Sequence, residues 1–261
     1  MINTLTLPLL ERAKLCKNPT ARALLEIMQK KETNLAFSAD FTHKETILRY
    51  ADILGPDICV FKTHMDIVED YDKELVQELK KIAKKHEFLI FEDRKFTDIG
   101  TISKLQYEKG MLHISDWAHI INAMVTSGPG IVEGLKEVGL PLERGLLLVA
   151  ELSSSGSLAT GNYTEAAIKI AKEHPEFVIG FICQQKLVDD PSFIHLTPGV
   201  KLAKGNDPLG QQYNTPESVI KNGTDVIIVG RGIAEAQNPH VEALLYKEAG
   251  WNALIERTAN S

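Results

Sequence analysis

Cysteine is scarce in this sequence: Cys16, Cys59 and Cys183 are the full complement, an odd number with no two close together. That excludes a disulfide framework and a paired-cysteine metal knuckle. Cys59 and Cys183 lie inside apolar runs, where inert buried thiols are usually found. No apolar run approaches the roughly 20 residues needed to span a bilayer. Residues 1–15, broken by Glu11 and Arg12, have neither the apolar stretch nor the small-residue cleavage site of a secretion signal. The expectation is a cytoplasmic protein with no membrane partner. Excess positive charge is missing too. Lys and Arg number 29 against 35 Asp and Glu, a net charge of −6, which is a poor basis for binding nucleic acid. The pairs Lys80-Lys81 and Lys84-Lys85 alternate with apolar residues at helical spacing and read as a solvated helix face. No Gly/Ser-rich, Pro-rich or low-complexity tract marks a linker. The histidines form no HxH or HExxH pattern, so no metal site is expected. Residues 153–157 are rich in hydroxyls but have no histidine or acid at triad spacing.

What the sequence has is ordinary globular composition, 44% hydrophobic and 25% charged, which rules out disorder. It also has a succession of short apolar runs, at 35–37, 58–61, 88–91, 118–123, 146–149, 177–182, 193–196 and 226–229. Near-continuous runs of this length suit parallel strands buried on both faces. Amphipathic segments separate most of them. Residues 73–85 place Leu75, Leu79 and Ile82 on one face with lysines opposite; 163–172 and 216–222 read likewise, the last opening with Pro216 after Thr215. Strands alternating with helices predict βα units and a parallel sheet. Eight units predict an α/β protein, a single (β/α)8 barrel domain over 1–261, with one or two helices over 10–31 ahead of it. The sixth unit reads as degenerate: 182–193 leaves room for a short helix at best, and Asp190-Pro191 interrupts it. An open doubly wound sheet is the other arrangement of such units, but no GxGxxG follows the first strand.

In a barrel, chemistry sits at the carboxyl ends of the strands. The residues just past each run are Asp40; Lys62 and His64; Asp93, Lys95 and Asp98; Asn122; Glu151 and Ser153; Gln184; Thr197-Pro198-Gly199; and Gly230-Arg231-Gly232. Side chains alternate along a strand, so Asp93 and Lys95 point one way while Glu92 and Arg94 point the other. Lys62 leaves the neighbouring strand at a similar height and Asp98 lies just past the strand end. Two lysines and two aspartates can then converge; the other reading is a surface charge cluster. Alternating Lys and Asp compensates buried charge and sets an ammonium where it can deliver a proton. Gly230-Arg231-Gly232 follows the eighth run, where many barrels hold phosphate. Its glycines allow close backbone approach and Arg231 offers a bidentate donor. The polar loop 205–213 has glycines for movement and Gln211, Gln212 and Tyr213 for a clamp. An ordinary surface turn is the alternative there.

At these residues the sequence resembles the orotidine 5′-phosphate decarboxylases, specifically their eukaryotic-type branch. The matching text includes LGPDICVFKTHMD (54–66), FLIFEDRKFTDIG (88–100), AELSSSGSLATG (150–161), LGQQY (209–213) and VIIVGRG (226–232). The resemblance covers about 35–251. It implies conversion of orotidine 5′-monophosphate (OMP) to UMP and CO2, without metal or organic cofactor, in a homodimer of (β/α)8 barrels. It implies catalytic roles for Lys62, Asp93, Lys95 and Asp98, with Lys95 as proton donor, Asp93 against the leaving carboxylate and Asp98 reaching into the partner's site. It implies that Asp40, Lys62 and His64 contact ribose, that Ser153 contacts the pyrimidine with Pro198 packed near it, and that Gln211, Tyr213, Gly230 and Arg231 clamp the phosphate. In animals the family's domain is fused to an orotate phosphoribosyltransferase; 261 residues leave no room for one, so a monofunctional chain is expected. One departure stands out. The family pattern Asp-Ile-Gly-Asn-Thr is here Asp98-Ile99-Gly100-Thr101-Ile102, with isoleucine at the family's ribose-contacting threonine. Two other classes remain open. A metal-dependent sugar-phosphate barrel enzyme shares Asp-x-Lys-x-x-Asp but carries an acidic metal ligand where Lys62 stands. A non-catalytic phosphate sensor has no need of a proton donor beside a carboxylate.

Overall fold

The computed structural model describes residues 6–203, 205–208 and 210–259. Residues 1–5 and Leu209 of the LGQQY motif lie outside the described residues. Eight parallel strands close into a barrel: β1 (Leu35–Ala39), β2 (Val60–Thr63), β3 (Leu89–Phe96), β4 (Ile120–Ala123), β5 (Gly145–Val149), β6 (Val178–Ile182), β7 (Ile194–Thr197) and, after the short β8 (Gly205–Asn206) and β9 (Gln212–Tyr213), β10 (Val226–Val229). Each barrel strand overlaps one of the apolar runs. The runs are continuous because one face of every strand fills the barrel and the other packs under helices.

The helices follow the amphipathic segments: α3 (Lys44–Leu54), α4 (Lys73–His86), α5 (Gly100–Glu108), α6 (Gly130–Gly139), α7 (Asn162–Glu173) and α8 (Pro216–Lys221), then the short α9 (Arg231–Ala234) and the long α10 (Pro239–Ala259). Thr215 caps α8, its hydroxyl accepting from Ser218 N–H at 3.3 Å. No helix lies between β6 and β7 among the described residues, so the sixth unit is reduced to a loop. The segment ahead of the barrel forms two helices, α1 (Leu9–Leu15) and α2 (Pro19–Lys31), parted by the Asn18 cap. They lie at the end of the barrel opposite the charged loops. Arg12 of α1 is buried against Asp225, at 2.6 and 3.0 Å, and donates to Phe193 O. Both partners immediately precede a barrel strand, so α1 is tied under β7 and β10.

Two local features exceed the sequence expectation. β3 runs five residues past its apolar segment, through Phe96, with a register shift against β4 between Glu92 and Phe96. Lys95 sits in that irregularity with φ +48°, the left-handed region that a non-glycine residue rarely adopts. The second is the antiparallel pair β8–β9 inside the loop 205–213. A loop this long needs partners for its backbone polar groups, and the small ladder supplies them.

Candidate active site

The carboxyl ends of β1, β2, β3 and β10 surround a cleft lined by Ser38, Asp40, Lys62, Asp93, Pro198 and Arg231 among others. Its floor is charged. Asp93 is held from both sides: Oδ2 lies 2.9 Å from Lys62 Nζ, and Oδ1 accepts from Lys95 Nζ and from Asn122 Nδ2, each at 2.7 Å. Asn122 Oδ1 in turn accepts from Lys95 N–H at 2.7 Å, so this one buried amide fixes both the carboxylate and the left-handed residue beside it. Asp40 approaches Lys62 at 3.6 Å and is steadied by the Ser38 hydroxyl at 2.8 Å. His64 Nε2 is 2.9 Å from Lys62 Nζ and 3.4 Å from Asp93 Oδ2.

Electrostatics follow from these distances. Burial alone would push the Asp93 carboxyl up, but Lys62 and Lys95 outweigh it and hold the group far below the usual carboxylate range. Burial opposes the Lys62 charge as well, and there Asp93 and Asp40 win, so its ammonium is strengthened. His64 is shifted down, by burial first and by Lys62 next, and is therefore neutral at pH 7. The floor thus carries two ammoniums and two carboxylates at fixed positions.

The other end of the cleft suits an anion. The ring of Tyr213 lies 4.2 Å from Lys201 Nζ and 5.7 Å from the Arg231 guanidinium carbon, and its buried hydroxyl has no hydrogen-bond partner among the described residues. Arg231 donates to Asp207 at 2.6 Å. Ser153 Oγ donates to Gln211 Oε1 at 3.1 Å, and a bridge between Ser154 and Gln211 stitches the loop after β5 to the loop after β7. Pro198 and Gly230 line the cleft. A Cβ at Gly230 would stand 3.3 Å from Ser38 Cβ and 3.4 Å from an Asp40 oxygen, narrowing the passage between the two ends.

The structure therefore brings Asp40, Lys62, His64, Asp93 and Lys95 into one cluster, and Gln211, Tyr213, Gly230 and Arg231 to its rim, with Ser153 and Pro198 beside them. It does not bring in Asp98 from the same chain. Asp98 is exposed beyond the end of β3, its carboxylate accepting Ile99 N–H at 2.7 Å and its carbonyl accepting the Ser103 and Ser127 hydroxyls. The expected convergence of two lysines with two aspartates is met within one chain by Asp93 and Asp40 instead. Pleat alternation accounts for Asp93 facing the cleft and Glu92 facing away, whereas Lys95 reaches Asp93 through the irregular backbone. Reading strand ends singled out Asn122 without a role and did not single out Ser38, Lys201 or Asp207. Ser38 follows an apolar run directly, and that position was the available signal.

A family model described as orotidine 5′-phosphate decarboxylase / HUMPS family matches residues 33–246. The chain is 52% identical to the orotidine 5′-phosphate decarboxylase of Rhizopus oryzae, covering 97% of each chain, and 53% identical to that of Schizosaccharomyces pombe, covering 94% of each. It is 54% identical to the uridine 5′-monophosphate synthase of Bos taurus over 93% of its own length and 51% of that protein's, so it spans about half of that relative. Among solved structures, the orotidine 5′-monophosphate decarboxylase of Methanocaldococcus jannaschii in complex with the inhibitor BMP superposes with a TM-score of 0.64 at 21% identity, covering 83% of this chain and 98% of that one. The Sulfolobus solfataricus enzyme does so with 0.65 at 19%, covering 85% and 99%. These two carry the barrel fold; the matched family model and the relatives above 50% carry the family. The chain belongs to the orotidine 5′-phosphate decarboxylase / HUMPS family.

Proposed function

We propose that this chain converts OMP to UMP and CO2, as a homodimer and without metal or organic cofactor. One observation carries the reading: a carboxylate only 12% exposed, Asp93, clamped between the ammoniums of Lys62 and Lys95 on the floor of a cleft whose far end offers Arg231 and the Tyr213 hydroxyl. The phosphate binds at Gln211, Tyr213, Gly230 and Arg231. The ribose lies along Asp40, Lys62 and His64, and the pyrimidine between Ser153 and Pro198. Its carboxylate is then pressed toward Asp93. Two unit charges about 4 Å apart repel by about 4 kcal/mol at an effective dielectric of about 20. The bond from the ring carbon to the carboxylate breaks, CO2 leaves, and that repulsion vanishes with it. The electron pair remaining on the carbon takes a proton from Lys95 Nζ, whose ammonium gives one of its three N–H donors to Asp93 and keeps the others for this work.

Asp98 belongs to the partner's site in this reading. It is exposed, and Ile99 just before α5 and Ile102 and Leu105 on it face the outside at 60, 39 and 47% exposure. An apolar stripe next to an exposed acid suits a surface covered by a second copy. Ile102, at the position where the family contacts ribose through threonine, adds to that stripe. The test is direct: incubate the protein with OMP, follow the loss of the substrate's pyrimidine absorbance and identify UMP chromatographically. Absence of UMP formation overturns the reading.

A further inference from the structure

Glu92 is the neighbour of Asp93 and faces the other side of β3. It is completely buried and forms no ion pair among the described residues. Among the described residues its side-chain hydrogen bonds go to Thr63, the last residue of β2, and to Met65 just beyond it. The Thr63 hydroxyl donates to Oε2 at 2.6 Å, and Met65 N–H lies 3.0 Å from Oε1 and 3.2 Å from Oε2. Thr63 and Met65 flank His64. They are buried, whereas His64 turns back into the cleft to meet Lys62 and Asp93.

Two adjacent carboxyls of one strand therefore grip the four-residue stretch Lys62–Met65 from opposite faces. Asp93 holds the side chains of Lys62 and His64 from within the cleft, and Glu92 holds the side chain and backbone on either side of His64 from behind. The strand pairing places Thr63 directly opposite Glu92, so the grip is in register. After His64 the chain makes a single tight turn, Met65–Ile67, closed by Ile67 N–H on His64 O at 3.2 Å. Without Glu92, the buried Met65 N–H has no acceptor, and the cheapest relief is rotation of this turn, which carries His64 with it.

We infer that Glu92 is a positioning residue that fixes His64, and through it the Lys62–Asp93 pair, from behind the sheet. The inference rests on the reading of this cleft as the decarboxylation site, and its experiment keeps the two apart. The variants are Glu92→Met, which keeps volume and removes the acceptors; Glu92→Gln, which keeps one acceptor; and Thr63→Val, which removes one donor from the other side. Each is made alone and with His64→Ala, and kcat and KM for OMP are measured. Glu92→Met should lower kcat/KM about tenfold or more, as loss of well-placed hydrogen bonds to a buried group does, with Glu92→Gln restoring part of it. In the His64→Ala background the same change should cost less than about twofold, because the group it positions is gone. Equal losses in both backgrounds would make Glu92 a structural group independent of His64 and overturn the inference. A second readout is the ring 15N shift of His64 in the ligand-free protein, which should move in Glu92→Met and in Thr63→Val. An unmoved resonance overturns the inference whether or not OMP is turned over. If Glu92→Met does not fold, the Gln and Val variants give the same cycle. Failure of the wild-type protein on OMP condemns the functional reading alone, since the resonance still reports on the positioning.

Discussion

Asp93 is only 12% exposed and yet ionised, because the ammoniums of Lys62 and Lys95 stand within hydrogen-bonding range and outweigh the cost of burial. The next residue shows the same physics with the opposite result. Glu92 makes no ion pair among the described residues, and burial pushes its carboxyl from 4.5 up to about 8. The native protein therefore holds a proton that the unfolded chain releases between those two values. Its contribution to stability is complete below pH 4.5 and is lost as pH rises through about 8, at about 1.4 kcal/mol per pH unit. Glu92→Gln removes the titration, so its urea-unfolding free energy relative to wild type should rise with pH across this window and level off above it. A difference that does not change with pH would mean that Glu92 is ionised in the native state. For Lys95 the prediction concerns rate. Lys95→Ala should lose nearly all decarboxylation, with general-acid terms alone worth roughly 10²–10⁴-fold, while calorimetry still detects UMP binding at the phosphate end; retention of more than about a tenth of the rate removes Lys95 from the proton transfer. Lys62, His64, Asp93 and Lys95 were legible in the sequence because each follows an apolar run and strand ends face the site in a barrel. Asn122 was visible at a strand end too, but not its role. Its importance depends on the register that sets it beside the left-handed Lys95, and register between distant strands leaves no local trace.

Elements were more legible than their irregularities. Eight apolar runs gave eight barrel strands, and Asp190-Pro191 marked the missing sixth helix, because periodicity and proline act locally. The extension of β3 to Phe96 was hidden, since the charged residues that face a cleft look like the end of a strand. The β8–β9 pair was hidden in a loop whose polar composition has no period. That loop matters through its attachments. Asp207 anchors it to Arg231, and Ser153 and Ser154 fasten Gln211 to the loop after β5. The proposed phosphate end is thus assembled from three separate loops, and in that reading its binding energy is remote from the reacting carbon. Arg231→Ala should weaken OMP turnover by about 1.5–3 kcal/mol in kcat/KM, the scale of one charge-assisted contact. Turnover of the nucleoside lacking phosphate should change little, because the lost interaction was never available to it. Equal damage to both substrates would contradict a phosphate role for Arg231.

At the scale of the whole molecule, the proposed site as folded in one chain lacks one member, Asp98. Asp98 is exposed just beyond β3 while Lys62, Asp93 and Lys95 are assembled inside. The carbonyl of Asp98 is pinned by Ser103 and Ser127, so the residue is held in place while its carboxylate faces outward. A two-fold axis beside the stripe of Ile99, Ile102 and Leu105 would deliver each Asp98 to the other copy. If so, every active site needs three residues from one chain and Asp98 from its partner. Lys95→Ala and Asp98→Ala homodimers should both be nearly inactive. A mixed dimer holds one site with both defects and one with neither. After random 1:1 reassortment about half the dimers are mixed, and half of their sites are intact, so activity should recover to about a quarter of wild type. Tagging the two chains differently and isolating the mixed species removes any dependence on exchange, and the isolated mixed dimer should then show about half of wild-type activity. Isolated mixed dimers as inactive as their parents would show that Asp98 acts within its own chain or only in holding the fold.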